Sequence, residues 1–170
     1  HRTSNNYGGW SVSTVSGDHN FVEDTWYFLS ITYDNSSTSN NPTFRYAPYS
    51  DSSLTDVTNP YEEREPQGSP RVMTAEYAGI GVNKTGSAPR PWNCSISLLG
   101  MCVKALTEAE CDTLFNGGEP YDFSSVQSSN LLFFHDMQSV SSSVVSPHTG
   151  GSTYNLTLVN GATTNSDGPS

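Results

Sequence analysis

The sequence predicts an all-β fold: a two-sheet antiparallel β-sandwich with one short α-helix. Three observations lead there. Residues 26–34, WYFLSITYD, alternate with the period of two of an extended strand. Leu99, Met101 and Val103 alternate with Gly100 and Cys102 in the same way. The rest is short apolar runs divided by Ser-, Thr-, Asn-, Gly- and Pro-rich segments, with one helical signature among them. That is the pattern of layered sheets rather than of a helical body.

In chain order, the first strand spans 26–34, with Tyr27, Leu29, Ile31 and Tyr33 predicted to form its core-facing side. A polar loop, NSSTSNNP, leads to a shorter extended piece, TFRYAPY. Residues 50–70 carry Pro60, Pro66, Pro70 and the charge run EERE without periodicity, so they read as a long surface loop. One or two strands are expected within 71–83, followed by a loop at 84–91. The Leu99–Val103 strand is expected to bury Leu99, Met101 and Val103. It runs into a capping box, Thr107 three residues before Glu110, flanked by Leu106 and Cys111 as a hydrophobic staple. Cys111, Leu114 and Phe115 share one helical face, and Gly117 is the expected left-handed stop. LLFF (131–134) reads as a strand buried on both faces. YNLTLVNGAT reads as a closing strand that ends at the turn dipeptide Asn160-Gly161.

At 170 residues the chain is most simply one domain, 1–170, large enough to bury a core without metals or disulfides. Its 11% aromatic content argues for a folded chain despite only 34% hydrophobic residues. A net charge of −10 disfavours nucleic acid and anionic membrane surfaces, which select clustered Lys and Arg. Divalent cations and neutral glycans stay compatible with it. No apolar run approaches the length of a membrane span and no signal peptide is visible. Opening at His1 rather than Met fits removal of an upstream segment or a partial sequence. Cys94 and Cys102, eight positions apart on one extended segment, would lie about 26 Å apart and cannot bond. A bridge from either to Cys111 is geometrically open; buried thiols acting as small hydrophobes are the simpler expectation.

The succession WYFLSITYD, IGVN and WNCSISLLGMCVKALTEAECDTLFNGG resembles the laminin-G-like jelly-roll group of the concanavalin A-like lectin/glucanase superfamily. Trp26, Thr32, Tyr33 and Asp34 match a tryptophan-led strand ending in a TYD-like turn. Trp92, Ala105, Leu106, Thr107, Glu110, Leu114, Phe115, Asn116 and Gly117 match a strand running into a short helix that ends in an "L-[FY]-N-x-G" stop. The segment from PYDFSSVQSSNLLFFHDM to NLTLVNGAT resembles a closing segment of members found in phage and marine viral structural proteins. The resemblance implies a jelly-roll sandwich on an extracellular or virion surface. The role it implies is structural decoration or attachment beside other subunits of a particle, with glycan binding as the alternative. The group's opening strands are not found before Trp10, and Ser97 stands where the group often has Asp.

No catalytic set is expected. The E-x-D-x-x-E spacing that would place two carboxylates about one glycosidic bond is missing. Glu62, Glu63 and Glu65 sit in a proline-flanked loop. There is no G-x-S-x-G elbow and no zinc spacing of Cys and His; His135-Asp136 reads as an ordinary strand-end pair. The resemblance brings calcium into consideration, and Asp34 and Asp51 are the acids nominated as its hard oxygen ligands. Trp10, Tyr46, Tyr49, Tyr61 and Tyr77, in or beside loops, are the candidate stacking platform for sugar rings. Asn35, Asn83, Asn93 and Asn155 each open an N-x-S/T sequon, the acceptor pattern for N-glycosylation.

Overall fold

The computed structural model describes residues 21–34, 36, 42–57, 94–118, 129–137, 140–150, 154–158 and 163. In chain order these hold β1 (Tyr27–Thr32), β2 (Thr43–Pro48), β3 (Thr55–Asp56), β4 (Leu99–Cys102) and α1 (Glu108–Phe115). Then come β5 (Leu131–His135), β6 (Val140–Ser141), β7 (Val144–Val145) and β8 (Leu156–Thr157). Every strand pairing is antiparallel, so the described chain is all-β in class with one α-helix. The strands expected within 71–83, the loop at 84–91 and the Asn160-Gly161 turn lie outside the described residues. The elements fall into two compact units.

The first unit holds β1, β2, β3 and α1. The sheet order is β1-β2-β3, with Tyr27 opposite Pro48 and Thr32 opposite Thr43. α1 covers one face: the Phe28 and Phe115 rings stand 5.7 Å apart, and Ser30 Oγ lies 3.2 Å from Cys111 Sγ. The predicted core face of β1 is therefore corrected. Phe28 and Ser30 face the helix, while Leu29 and Ile31 are 54% and 67% exposed. Alternation shows that a strand has two faces; which one is covered depends on an element some eighty residues further on. β3 also shows that the long polar segment begins as a strand, held to β2 at Arg45–Asp56 and Tyr46–Thr55.

α1 starts where the sequence places it. Thr107 Oγ1 accepts the Glu110 N–H (3.3 Å) while Glu110 Oε2 accepts the Thr107 N–H (2.8 Å), closing the capping box. Glu108 and Glu110 add negative charge to the first turn, where the helix dipole favours it. Cys111, Leu114 and Phe115 are buried as expected. The stop is shared: Asn116 takes the first left-handed position (φ 49°) and donates its N–H to Asp112 O, and Gly117 takes the next (φ 65°). Asn tolerates this region because its short side chain carries a small steric penalty there.

The second unit holds β4 to β8. β4 pairs with β5 from Leu99–His135 to Cys102–Leu131, with a shift in register after Met101. Met101 is 47% exposed and Val103 67%. The buried face expected of β4 is thus not formed at Met101, and Val103 lies beyond the strand's end at Cys102. In β5 Phe134 and His135 are buried. β6, β7 and β8 form a small sheet, and Ser142, with φ 57°, turns the chain between Val140–Ser141 and Val144–Val145. In the described part of the predicted closing strand, Leu156–Thr157 is β, and Leu158 N–H then bonds Ser143 O at 2.8 Å.

Candidate functional site

Within the first unit, Ser30, Arg45 and Asp56 form a row across the three strands, one residue from each. Arg45 Nε lies 2.7 Å from Asp56 Oδ1 but off the hydrogen-bond direction, so the contact is an ion pair rather than an aligned hydrogen bond. Arg45 also directs a guanidinium nitrogen to Cys111 Sγ at 4.0 Å, a long and weak approach. The Cys111 thiol is completely buried beneath this row, so it serves as a packed, polar-contacted core group. No disulfide joins the cysteines: Cys94 is exposed, Cys102 half-buried and Cys111 buried.

An aromatic cluster lies at one end of the β1–β2 hairpin. The Phe21 ring stands edge-on to Tyr27 (4.8 Å) and to Tyr46 (5.9 Å), and Tyr27 and Tyr46 are 6.5 Å apart. Tyr27 Oη accepts the Val22 N–H at 3.0 Å, which fixes the approach of the preceding chain. Of the proposed sugar platform, Tyr46 is half-buried within β2, and Tyr49 is half-buried just beyond it, its N–H bonded to Trp26 O at 2.9 Å. Trp10, Tyr61 and Tyr77 lie outside the described residues. Phe21 and Tyr27 are the cluster members that the sequence pattern does not single out. The sequence assigns Tyr27 to the predicted core face of β1 rather than to a surface cluster, and Phe21 precedes any periodic run.

Asp34 and Asp51 are both exposed, and the strand register separates them. Asp34 follows the Thr32–Thr43 end of the hairpin and Asp51 the Tyr27–Pro48 end. Five residue steps, about 17 Å, lie between those ends. One calcium ion, whose ligands sit within about 2.6 Å, cannot take both. Asp34 Oδ1 instead accepts the Ser36 N–H at 2.9 Å, closing a local turn. That backbone bond, with a second from the Ser36 side chain, holds the Asp34 carboxyl below the usual carboxylate range. Among the described residues, no three His, Cys, Asp or Glu side chains gather as a metal-binding group.

The second unit separates His135 from Asp136. His135 is fully buried, its Nε2 2.9 Å from Tyr154 O. Asp136 turns instead to His148, Oδ2 to Nδ1 3.3 Å, and His148 stands edge-on to Phe134 at 6.0 Å. His135 closes β5 and Asp136 follows it, so the two stand at a strand end as the sequence reads them, each with its own partner. The Asp136–His148 contact joins positions twelve apart and has no local signature in the sequence. Asn155, exposed and next to Tyr154, is the described sequon asparagine; Asn35, Asn83 and Asn93 lie outside the described residues. No helix among the described residues is long and apolar enough to cross a membrane. The chain matches no family model, and no curated protein or solved structure matches it.

Proposed function

We propose that this chain is a non-catalytic surface module: a laminin-G-like, jelly-roll β-sandwich that serves as a structural, decoration or attachment domain on a virion. The observation that carries this reading is the two-sided character of the first sheet. One face is closed by α1 through Phe28, Phe115, Ser30 and Cys111, while the other bears Leu29 and Ile31, more than half exposed. An apolar sheet face of this kind suits a layer that packs against a second layer, as in a sandwich, or against a neighbouring subunit. The Ser-, Thr- and Asn-rich connections and the net charge of −10 suit a solvated outer surface. The test is quantitative protein analysis of purified particles from the source. A stoichiometric presence in washed particles supports the assignment; a chain recovered only as a dispersed cytosolic protein removes it.

The alternative is a glycan-binding lectin domain, with or without calcium. The Phe21–Tyr27–Tyr46 cluster favours it, because packed rings held at fixed angles resemble the aromatic surfaces on which sugar rings stack. Asp34 and Asp51, if used, would belong to separate ions. A glycan array probed with and without chelator separates the two readings, since a purely structural module binds nothing in either condition. Asn155, exposed, remains the sequon to examine by glycopeptide mass spectrometry if the source glycosylates its surface proteins.

A further inference from the structure

The second unit closes around one side chain that no surface role requires. His135 has no solvent exposure, and its Nε2 lies 2.9 Å from Tyr154 O. A carbonyl only accepts, so Nε2 carries the hydrogen and Nδ1 of the neutral ring is a bare acceptor. Nδ1 is buried and has no hydrogen-bond partner among the described residues. Two described neighbours are apolar: Phe133 stands edge-on to the imidazole at 5.4 Å and Leu99 lies opposite on β4. Phe133 in turn packs on the Tyr154 ring at 5.4 Å, so His135 and Phe133 together tie β5 to the Tyr154 segment. The titratable groups on these elements are few among the described residues. Asp136 is directed to His148, Cys102 lies at the far end of β4, and Tyr154 offers His135 its carbonyl.

We propose that His135 is an acid-responsive latch: its neutral imidazole fastens β5 to the Tyr154–Leu158 segment, and protonation at Nδ1 releases that segment. A second N–H and a positive charge would arise where the described residues offer no acceptor and no directed counter-charge. A buried charge is tolerated only when paired. Opening admits water to Nδ1, so a proton is taken up as the segment leaves. By linkage the open fraction then rises as pH falls, by about tenfold per pH unit for one proton. Imidazole is the side chain suited to respond between about pH 5 and about pH 8. The latch is independent of whether the module serves in a particle or binds glycans.

The test is amide hydrogen exchange of the full chain between about pH 7.5 and about pH 5, corrected for the intrinsic pH dependence of exchange, with the His135 ring followed by NMR. Protection at Leu158 and Phe134, whose amides bond Ser143 O and Thr149 O, is expected to fall by about tenfold per pH unit as the ring titrates. His135→Gln keeps an N–H donor for Tyr154 O but takes up no proton, so its protection is expected to stay flat; His148→Gln is expected to keep the wild-type response. An identical acid response in His135→Gln, or its loss in His148→Gln, overturns the proposal. Should His135→Gln fail to fold, the wild type alone decides. Opening that coincides with the His135 titration supports the latch; opening without it, or titration with protection retained, overturns it.

Discussion

Ser30 Oγ and Cys111 Sγ lie 3.2 Å apart across eighty-one residues of sequence. The contact explains why α1 sits on the Phe28 side of β1. A strand and a helix share one buried face, and the thiol lies against the Ser30–Arg45–Asp56 row. Burial has a direct chemical consequence. A thiol reagent should modify Cys94 quickly in the folded protein and reach Cys111 only after denaturation. Peptide mapping after timed alkylation checks the order, and rapid labelling of Cys111 in native buffer would contradict the packing.

The neighbouring Phe28–Phe115 contact should supply much of the stability of the first unit. Phe115 is 2% exposed, so Phe115→Ala removes a buried ring and leaves a cavity, at an expected cost of about 3–5 kcal/mol. Val103→Ala, at a residue 67% exposed, is expected to change stability by less than about 0.5 kcal/mol. Urea unfolding of the two variants, compared at equal slope, measures the difference. Equal effects would mean that α1 does not close this face.

The helix cap offers a separable local test. Thr107→Ala removes the oxygen that accepts the Glu110 N–H and is expected to cost about 0.5–2 kcal/mol. Glu110→Gln keeps an acceptor for the Thr107 N–H and loses the carboxylate charge, both in the ion pair with Lys104 and at the helix N-terminus. That pair is partly exposed, so the expected change is below about 1 kcal/mol. Thermal unfolding should rank the two in this order, and the reverse order would place the ion pair above the cap.

The contrast between the cap and the strand faces shows what was legible in the sequence. Thr107, Glu110 and the Cys111–Leu114–Phe115 stripe lie within nine residues of one another, so local chemistry specifies that helix and its ends closely. The strands at Tyr27, Leu99 and Leu131 were legible for the same reason. The orientation of β1 was not, because the element that covers Phe28 comes far later in the chain. The two-residue strands β3, β6 and β7 carry too few residues to show a period, and each exists through its pairing partner. For the candidate site, the strand end at His135 and Asp136 was legible, whereas the partners that the fold brings, His148 for Asp136 and Tyr154 for His135, were not. Of the aromatic residues nominated as a platform, the described Tyr46 and Tyr49 lie in and just beyond β2, and the packing of Tyr46 with Tyr27 and Phe21 has no local signature.

Gly150 should be the least replaceable glycine described in the second unit. Its φ of 117° is open to glycine, and a Cβ there would stand 2.7 Å from Leu132 O and 2.8 Å from Phe133 Cβ. Neither atom belongs to a flexible side-chain end, so β5 itself would have to move. At Gly117, with φ 65°, an alanine methyl would meet nothing within 4 Å, so that substitution carries only the left-handed penalty of about 1–2 kcal/mol. Gly150→Ala is expected to cost more than Gly117→Ala and to weaken amide protection at Phe134, which bonds Thr149 O. Melting temperatures and hydrogen exchange check both statements; a Gly150→Ala protein with native protection would exclude the close approach.

Asp34 provides the pH test of the nominated calcium ligand. Its carboxylate accepts the Ser36 N–H, the larger cause, and a Ser36 side-chain bond, and both favour the charged form. The folded-state value therefore lies below the unfolded one. The contribution to stability is complete above the unfolded aspartate range and is lost as pH falls through the folded value. NMR titration should place the Asp34 midpoint below that of a free aspartate. Ser36→Ala, which keeps the backbone donor, should raise it in part, and Ser36→Pro, which removes that donor, should raise it further. A calcium ion on this carboxylate would compete with its protons and displace the midpoint downward as calcium is added. A titration curve identical with and without calcium would remove Asp34 from the metal proposal while leaving the Ser36 turn intact, because the turn needs only the oxygen that accepts the Ser36 N–H.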